Sequence, residues 1–105
     1  MATLDEILTA VCETLGLDES KLISREDDDE TYRTAITAFC NLASVVYGYG
    51  YRFIGKRINR TRQCVYYQTR MAPSRGCLYE YTIRELGKKL GKDVSKLLPC
   101  KTSVK

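Results

Sequence analysis

At 105 residues, the chain is long enough for one small domain with a single hydrophobic core. Its composition is 44% hydrophobic and 29% charged with a net charge of +4, which is typical of a globular protein. No apolar run is long enough to span a membrane, and the first residues lack the basic start and apolar core of a signal peptide. We therefore expect a cytosolic protein without a membrane partner.

The charge is distributed unevenly along the chain. Residues 1–31 hold ten acidic residues against two basic ones, whereas residues 32–105 hold fifteen basic residues against three acidic ones. A segregation of this kind predicts an electropositive side that attracts a polyanion such as nucleic acid. The alternative is internal pairing between the acidic and the basic parts.

Five cysteines and no histidine argue against zinc binding and against cysteine catalysis. No CxxC pair is present, and a cysteine nucleophile would lack a histidine base. No nucleotide-binding motif occurs, and the acidic stretch SREDDDE lacks the spacing of a calcium-binding loop. We expect free thiols, no metal, no cofactor and no enzymatic activity.

The N-terminal region predicts two helices. Apolar residues repeat at helical spacing from Leu4 to Leu15, and Thr3 and Glu6 have the spacing of a capping box. Gly16 ends this helix, and Asp18 caps a short second one.

A long central helix follows the acidic loop at residues 24–30. The helix is expected from Thr31 to Tyr47 with an apolar stripe from Ala35 to Val46, and two glycines end it within the sequence YGYGY. We expect those tyrosines to pack at the edge of the core, although stacking on nucleic acid is the alternative.

The stretch from Tyr51 to Met71 predicts two short helices joined by a polar turn at Asn59–Thr61. It contains six basic residues and no acidic one. Val65 restarts an apolar face, and we expect one of Tyr66 and Tyr67 in the core and the other partly exposed. This layout is typical of a helix-turn-helix that reads DNA, with one helix supporting the helix that enters the major groove. An ordinary helical hairpin with a solvated basic face is the alternative.

The C-terminal third predicts one further amphipathic helix. Pro73 and Gly76 break the helix after Met71, and apolar residues then repeat at helical spacing from Leu78 to Leu90. Asp93 is expected to cap a short last helix reaching Leu97 and Leu98.

Four segments share a pattern of apolar and glycine positions with a known family. They are Val11–Ser24 (VCETLGLDESKLIS), Ala35–Ala43 (AITAFCNLA), Tyr51–Asn59 (YRFIGKRIN) and Arg60–Val65 (RTRQCV). In these segments the chain resembles the C-terminal DNA-binding domain of the bacterial replication initiator DnaA, which contains a Trp-repressor-like helix-turn-helix. The last segment falls on the signature of that family, whose aspartate, histidine and two hydroxyl residues are replaced here by Thr61, Arg62, Gln63 and Cys64.

The helical pattern and the resemblance together predict an all-α bundle of five to seven helices containing a helix-turn-helix. Residues 1–72 would form the DnaA-like domain, and residues 73–105 a helical extension packed on it. The expected function is binding of double-stranded DNA for site recognition or regulation in replication initiation or transcription. A protein of the replication machinery is a further expected partner.

The DNA contacts are expected to come from the second helix and its surroundings. Arg62 has the chemistry to pair with guanine and Gln63 with adenine, while Thr61 would cap the helix or reach a phosphate. Cys64 shares the signature segment, and the remaining predicted contacts are to phosphates, from Arg52, Lys56, Arg57, Arg60 and Arg70. The alternative is a protein-interaction module that keeps the fold without sequence-specific DNA reading, which the acidic loop and the altered signature favour.

Overall fold

The structure, a computed structural model, describes residues 3–24, 30–71, 77–94 and 97. Within these ranges the chain is all-α, as predicted, and forms no strand. Its helices are α1 (Leu4–Leu15), α2 (Glu19–Ser24), α3 (Glu30–Asn41), α4 (Tyr51–Arg57), α5 (Arg62–Met71) and α6 (Cys77–Leu90). None of these helices is both long and apolar enough to cross a membrane.

Local signals set the ends of the first two helices. The Thr3 hydroxyl accepts a hydrogen bond from the Glu6 amide at 3.1 Å, and the Thr3 amide donates to Glu6 Oε1 at 3.0 Å, which completes the predicted capping box. Gly16 ends α1 with a left-handed backbone at φ 68°. The Ser20 amide donates to Asp18 Oδ1 at 2.9 Å at the start of α2. The sequence therefore predicted these three boundaries correctly, namely both ends of α1 and the start of α2.

Helix α3 lies at the centre of the bundle. All eight residues from Thr34 to Asn41 are buried, so this helix is enclosed on every side. Helices α1, α5 and α6 pack around it. Each fully buried large apolar side chain contributes about 1.5–3 kcal/mol, and one core unites side chains from these helices, among them Ile7, Val11, Phe39, Val65 and Ile83.

The last turn of the long central helix differs from the prediction. From Leu42 to Val46 the helix widens into a π-helical turn, in which the Tyr47 amide donates to the Leu42 carbonyl at 3.1 Å. Apolar spacing does not distinguish this turn from a regular one. Tyr47 is buried and Tyr49 packs against the core, in agreement with the role at the core edge predicted for these tyrosines.

Helix α6 contributes Tyr79, Ile83 and Leu86 to the same core and packs against α1 and α3. The proposed division between residues 72 and 73 stays a prediction. Three predicted segments lie wholly or mostly outside the described residues. They are the acidic loop (residues 25–29 of it), the helix break after Met71 (residues 72–76) and most of the predicted last helix.

Candidate nucleic-acid interface

A tight turn connects α4 to α5. Asn59 adopts a left-handed backbone at φ 58°, which asparagine tolerates better than most residues, and the Arg60 amide donates to the Gly55 carbonyl at 2.8 Å. The chain thereby folds back onto α4 so closely that a Cβ at Gly55 would lie 2.6 Å from the Arg60 carbonyl oxygen. Ile54 and Ile58 are fully buried on either side of this contact. The turn thus fixes where α5 begins.

Thr61 caps α5. Its hydroxyl accepts a hydrogen bond from the Cys64 amide at 3.1 Å, which satisfies one of the free amides at the helix start. This is one of the two roles that the sequence predicted for Thr61, and a contact with phosphate stays a prediction.

The inner face of α5 packs against α3 through one apolar and several polar groups. Val65 is fully buried, and the Thr37 hydroxyl donates to Gln68 Oε1 at 2.6 Å. Asn41 Nδ2 lies 3.4 Å from the Gln68 carbonyl oxygen, to which it donates. These bonds link two helices that are distant in sequence and orient α5 about its own axis.

Cys64 lies on this inner side. Its side chain is half-buried, and the thiol is close enough to Cys40 of α3 to affect it electrostatically. Burial raises the pKa of Cys40, and the neighbouring Cys64 raises it further. Of the residues predicted to contact DNA, Cys64 is therefore placed against α3 instead of on the outer surface of α5.

The outer surface of α5 is exposed and combines cationic, amide and aromatic side chains. Tyr66 and Tyr67 are 48% and 58% exposed. The expectation that one of them lies in the core is wrong, because Val65 and Gln68 define the inward side and both tyrosines fall on the opposite one. We call this surface the α5 face and define it by Arg62, Gln63, Tyr66, Tyr67 and Arg70.

The ring of Tyr66 is held from two directions. The Tyr51 ring lies 6.0 Å away, centroid to centroid, at an interplanar angle of 58°. The Arg70 guanidinium lies 5.6 Å from the Tyr66 ring centroid, and its Nη1 donates to Tyr66 Oη at 3.1 Å. Contacts of this type contribute about 0.5–1 kcal/mol each at exposed sites, so together they favour this orientation of the Tyr66 ring.

Arg57 is engaged in ion pairs within the protein's own surface. It forms ion pairs with Asp5 at the start of α1 and, at 2.5 Å, with Glu19 at the start of α2. Burial acts to lower the pKa of Arg57, but the hydrogen bonds to the two carboxylates prevail and raise it. Because these contacts fasten α4 to the N-terminal helices, a phosphate contact from Arg57 would require breaking them.

Arg60 is also turned inward. Its Nη1 donates to the Ile58 carbonyl at 2.7 Å and to the Leu22 carbonyl at 3.3 Å. Arg60 therefore joins the α4–α5 turn to the end of α2.

The other predicted cations face outward. Arg52 and Lys56 are exposed on α4 and form no ion pair with any residue that the structure describes, and Arg62 and Arg70 belong to the α5 face. The segment from Tyr51 to Met71 contains no acidic residue that would neutralise them. Four of the six basic residues in this segment are therefore exposed, two on α4 and two on α5.

Two features of this region were missed from sequence. Tyr66 and Arg70 are four residues apart on one helix, a spacing that could have predicted their contact. The ion pairs of Arg57 join residues from separate segments, and no local pattern marks them. Within the described ranges, no group of three or more histidine, cysteine or acidic residues is arranged to hold a metal.

No family model matches the chain, and no curated protein and no solved structure matches it significantly. The resemblance to DnaA accordingly stays a prediction from the four segments quoted above.

Proposed function

We propose that this protein binds double-stranded DNA through the α5 face, with α4 and its turn supporting α5 as in a helix-turn-helix. Its role would be site recognition or regulation linked to replication initiation or transcription, without catalytic activity. The observation that supports this most is the exposure of Arg62, Gln63 and Arg70 on one side of a helix whose neighbourhood contains no acidic residue in sequence. The described cysteines are all free thiols, which favours the reducing cytosol as the location.

The order of residues along α5 suits this role. Arg62 and Gln63 occupy its first turn, and recognition helices contact base edges mainly with their N-terminal residues. Arginine forms two hydrogen bonds with guanine, and glutamine does so with adenine. Arg70, two turns further on, and the cations of α4 would contact phosphates without regard to sequence.

An electrophoretic shift titration at several salt concentrations tests the proposal. Binding should weaken as salt rises, because phosphate contacts release counterions. If Arg52, Lys56, Arg62 and Arg70 all contact phosphate, the slope of log K against log salt would be about −3.6, at about 0.9 for each contact. A base contact by Arg62 would make this slope shallower. The absence of a shift at low salt would rule out DNA binding.

A matched pair of variants tests the location of the surface. Arg62 and Arg84 are both exposed arginines, one on the α5 face and the other on α6, 4.0 Å from Glu80. Arg62→Glu should abolish binding, whereas Arg84→Glu should change it little. The reverse pattern would move the binding surface to α6 and contradict the proposal.

A protein-interaction surface is the second candidate function. It is favoured by the exposure of Tyr66 and Tyr67 beside arginines, since tyrosine and arginine are enriched at the energetic centres of protein interfaces. A component of the replication machinery would be such a partner. Binding of a protein with weak salt dependence, together with no DNA shift, would favour this candidate.

A further inference from the structure

An open concavity of about 270 Å³ lies on the α5 face, where α4 and α5 both begin. It is lined by Tyr51, Arg62, Gln63 and Tyr66. Tyr51 is the first residue of α4, and Arg62 and Gln63 are the first two residues of α5. The concavity therefore sits where the proposed function places the edges of the bases.

Tyr51 and Tyr66 form an aromatic side of this concavity. The Tyr51 and Tyr66 rings are tilted by 58° with centroids 6.0 Å apart, an arrangement that leaves no parallel gap for a base to stack between them. Arg70 lies over the Tyr66 ring and limits stacking there as well. The aromatic side thus suits a small apolar group better than a whole base.

The polar side has a different chemistry. The Arg62 and Gln63 side chains carry donors and acceptors that match the edges of purines. A group entering between these side chains and the tyrosines would meet hydrogen-bonding atoms on one side and aromatic carbon on the other.

We propose that this concavity recognises the 5-methyl group of a pyrimidine in the major groove, an inference that rests on the proposed DNA binding. The methyl group of thymine is the apolar feature that unmodified base pairs present in this groove, and 5-methylcytosine presents the same group. The methyl group packs against Tyr51 and Tyr66, while Arg62 and Gln63 pair with neighbouring purines. Tyr66 is thus a specificity-determining residue, and Tyr51 holds its ring in place.

The experiment begins with selection of preferred sequences from a pool of random duplexes. The selected duplex is then prepared with each thymine in turn replaced by uracil and, separately, with each cytosine replaced by 5-methylcytosine. Removal of the recognised methyl group should weaken binding about fourfold, the loss expected for one buried methyl group. If the recognised base is thymine, its replacement by uracil weakens binding. If it is cytosine, its replacement by 5-methylcytosine strengthens binding.

Tyrosine variants provide the matched controls. Tyr66→Ala removes one wall of the concavity and should bring the ratio of affinities for methylated and unmethylated duplexes close to one. Tyr66→Phe keeps the ring and should keep the ratio. Tyr67→Ala removes another exposed tyrosine of the same helix, one that does not line the concavity, and it should also keep the ratio, whatever its effect on affinity.

The outcomes separate this inference from the proposed function. A selected duplex bound equally with and without every methyl group overturns the inference and leaves DNA binding intact. Salt-dependent binding with no preferred sequence also overturns the inference and leaves DNA binding intact. No binding to the random pool at low salt overturns both.

Discussion

The arginines of α4, α5 and their turn fall into two groups according to what their guanidinium groups contact. Arg57 and Arg60 reach carboxylates and carbonyl oxygens of the N-terminal helices. Arg52, in contrast, is exposed on α4, and Arg62 and Arg70 are exposed on the α5 face. All five look alike in sequence, as basic residues in a stretch without acids. The structure separates those that stabilise the fold from those available to a ligand.

Arg57→Ala should lower the free energy of unfolding by about 1 kcal/mol, because two partly exposed ion pairs that fasten α4 to α1 and α2 are lost. Urea unfolding measures the change. Arg52→Ala, at an exposed position of the same helix, serves as the control and should alter stability by less than about 0.5 kcal/mol. Equal stability of the two variants would show that the ion pairs contribute nothing measurable.

Arg62→Ala should reduce discrimination at one base pair by about 1–3 kcal/mol if Arg62 reads a base. Affinities measured for a selected duplex and its single-base-pair variants give the result. Gln63→Ala should relax a different position. A uniform loss across all sequences would instead make Arg62 a phosphate contact and contradict its role as a base reader.

The α4–α5 connection is the element that decides how α5 is presented. The turn residues pass so close to α4 that Gly55 has no room for a side chain, and Thr61 then caps the new helix. Contacts from Thr37 and Asn41 to Gln68 fix the opposite side. Helix α5 is therefore held by its first turn and by its inner face.

Gly55→Ala should destabilise the protein by about 1–3 kcal/mol, since the new Cβ would meet backbone atoms that cannot rotate away. Gly50→Ser is the control, because its Cβ would have only ordinary contact with the Phe53 ring and serine is a favourable residue at a helix start. Thermal unfolding of both variants tests this difference. A Gly55→Ala protein as stable as the wild type would disprove the close approach.

Features encoded locally were predictable at the scale of elements. The capping box at Thr3, the glycine end of α1 and the Thr61 cap follow from residues a few positions apart. The π-helical turn at Leu42–Val46 and the exposure of both tyrosines at 66 and 67 depend on how α3, α4 and α5 pack together. Apolar periodicity carries no information on such packing, and for the same reason it could not divide the arginines into two groups.

Across the whole molecule, the acidic N-terminal third and the basic remainder are partly paired. Arg57 contacts Asp5 and Glu19, and Lys89 lies 3.5 Å from Glu13. Among the described residues, this pairing involves α1, α2, α4 and α6 and leaves the cations of the α5 face unneutralised. Internal pairing therefore accounts for part of the charge asymmetry, and the attraction of a polyanion to the unneutralised part stays a prediction.

The buried thiols make stability sensitive to alkaline pH. Burial raises the pKa of Cys12 from 9.0 to about 11, and it also raises the pKa values of Cys40 and Tyr79. The folded protein therefore holds these protons more tightly than the unfolded chain, so their contribution to stability is complete below about pH 9 and declines as the pH rises from there.

Urea midpoints measured as a function of pH should fall between pH 9 and about pH 11. Cys12→Val removes one of the responsible groups and should make the decline shallower. An unchanged midpoint over this range would contradict the effect of burial, and a decline equally steep in Cys12→Val would exclude Cys12 as a source.

Docking of duplex DNA on the α5 face is tested most directly by nuclear magnetic resonance of isotope-labelled protein during titration with a selected duplex at low salt. The largest changes in backbone amide shifts should fall on residues 61–70 and on the start of α4, while α1 and α6 stay nearly unchanged. The largest changes on α6, or a spectrum unaffected by DNA, would contradict the assignment of this face to nucleic acid.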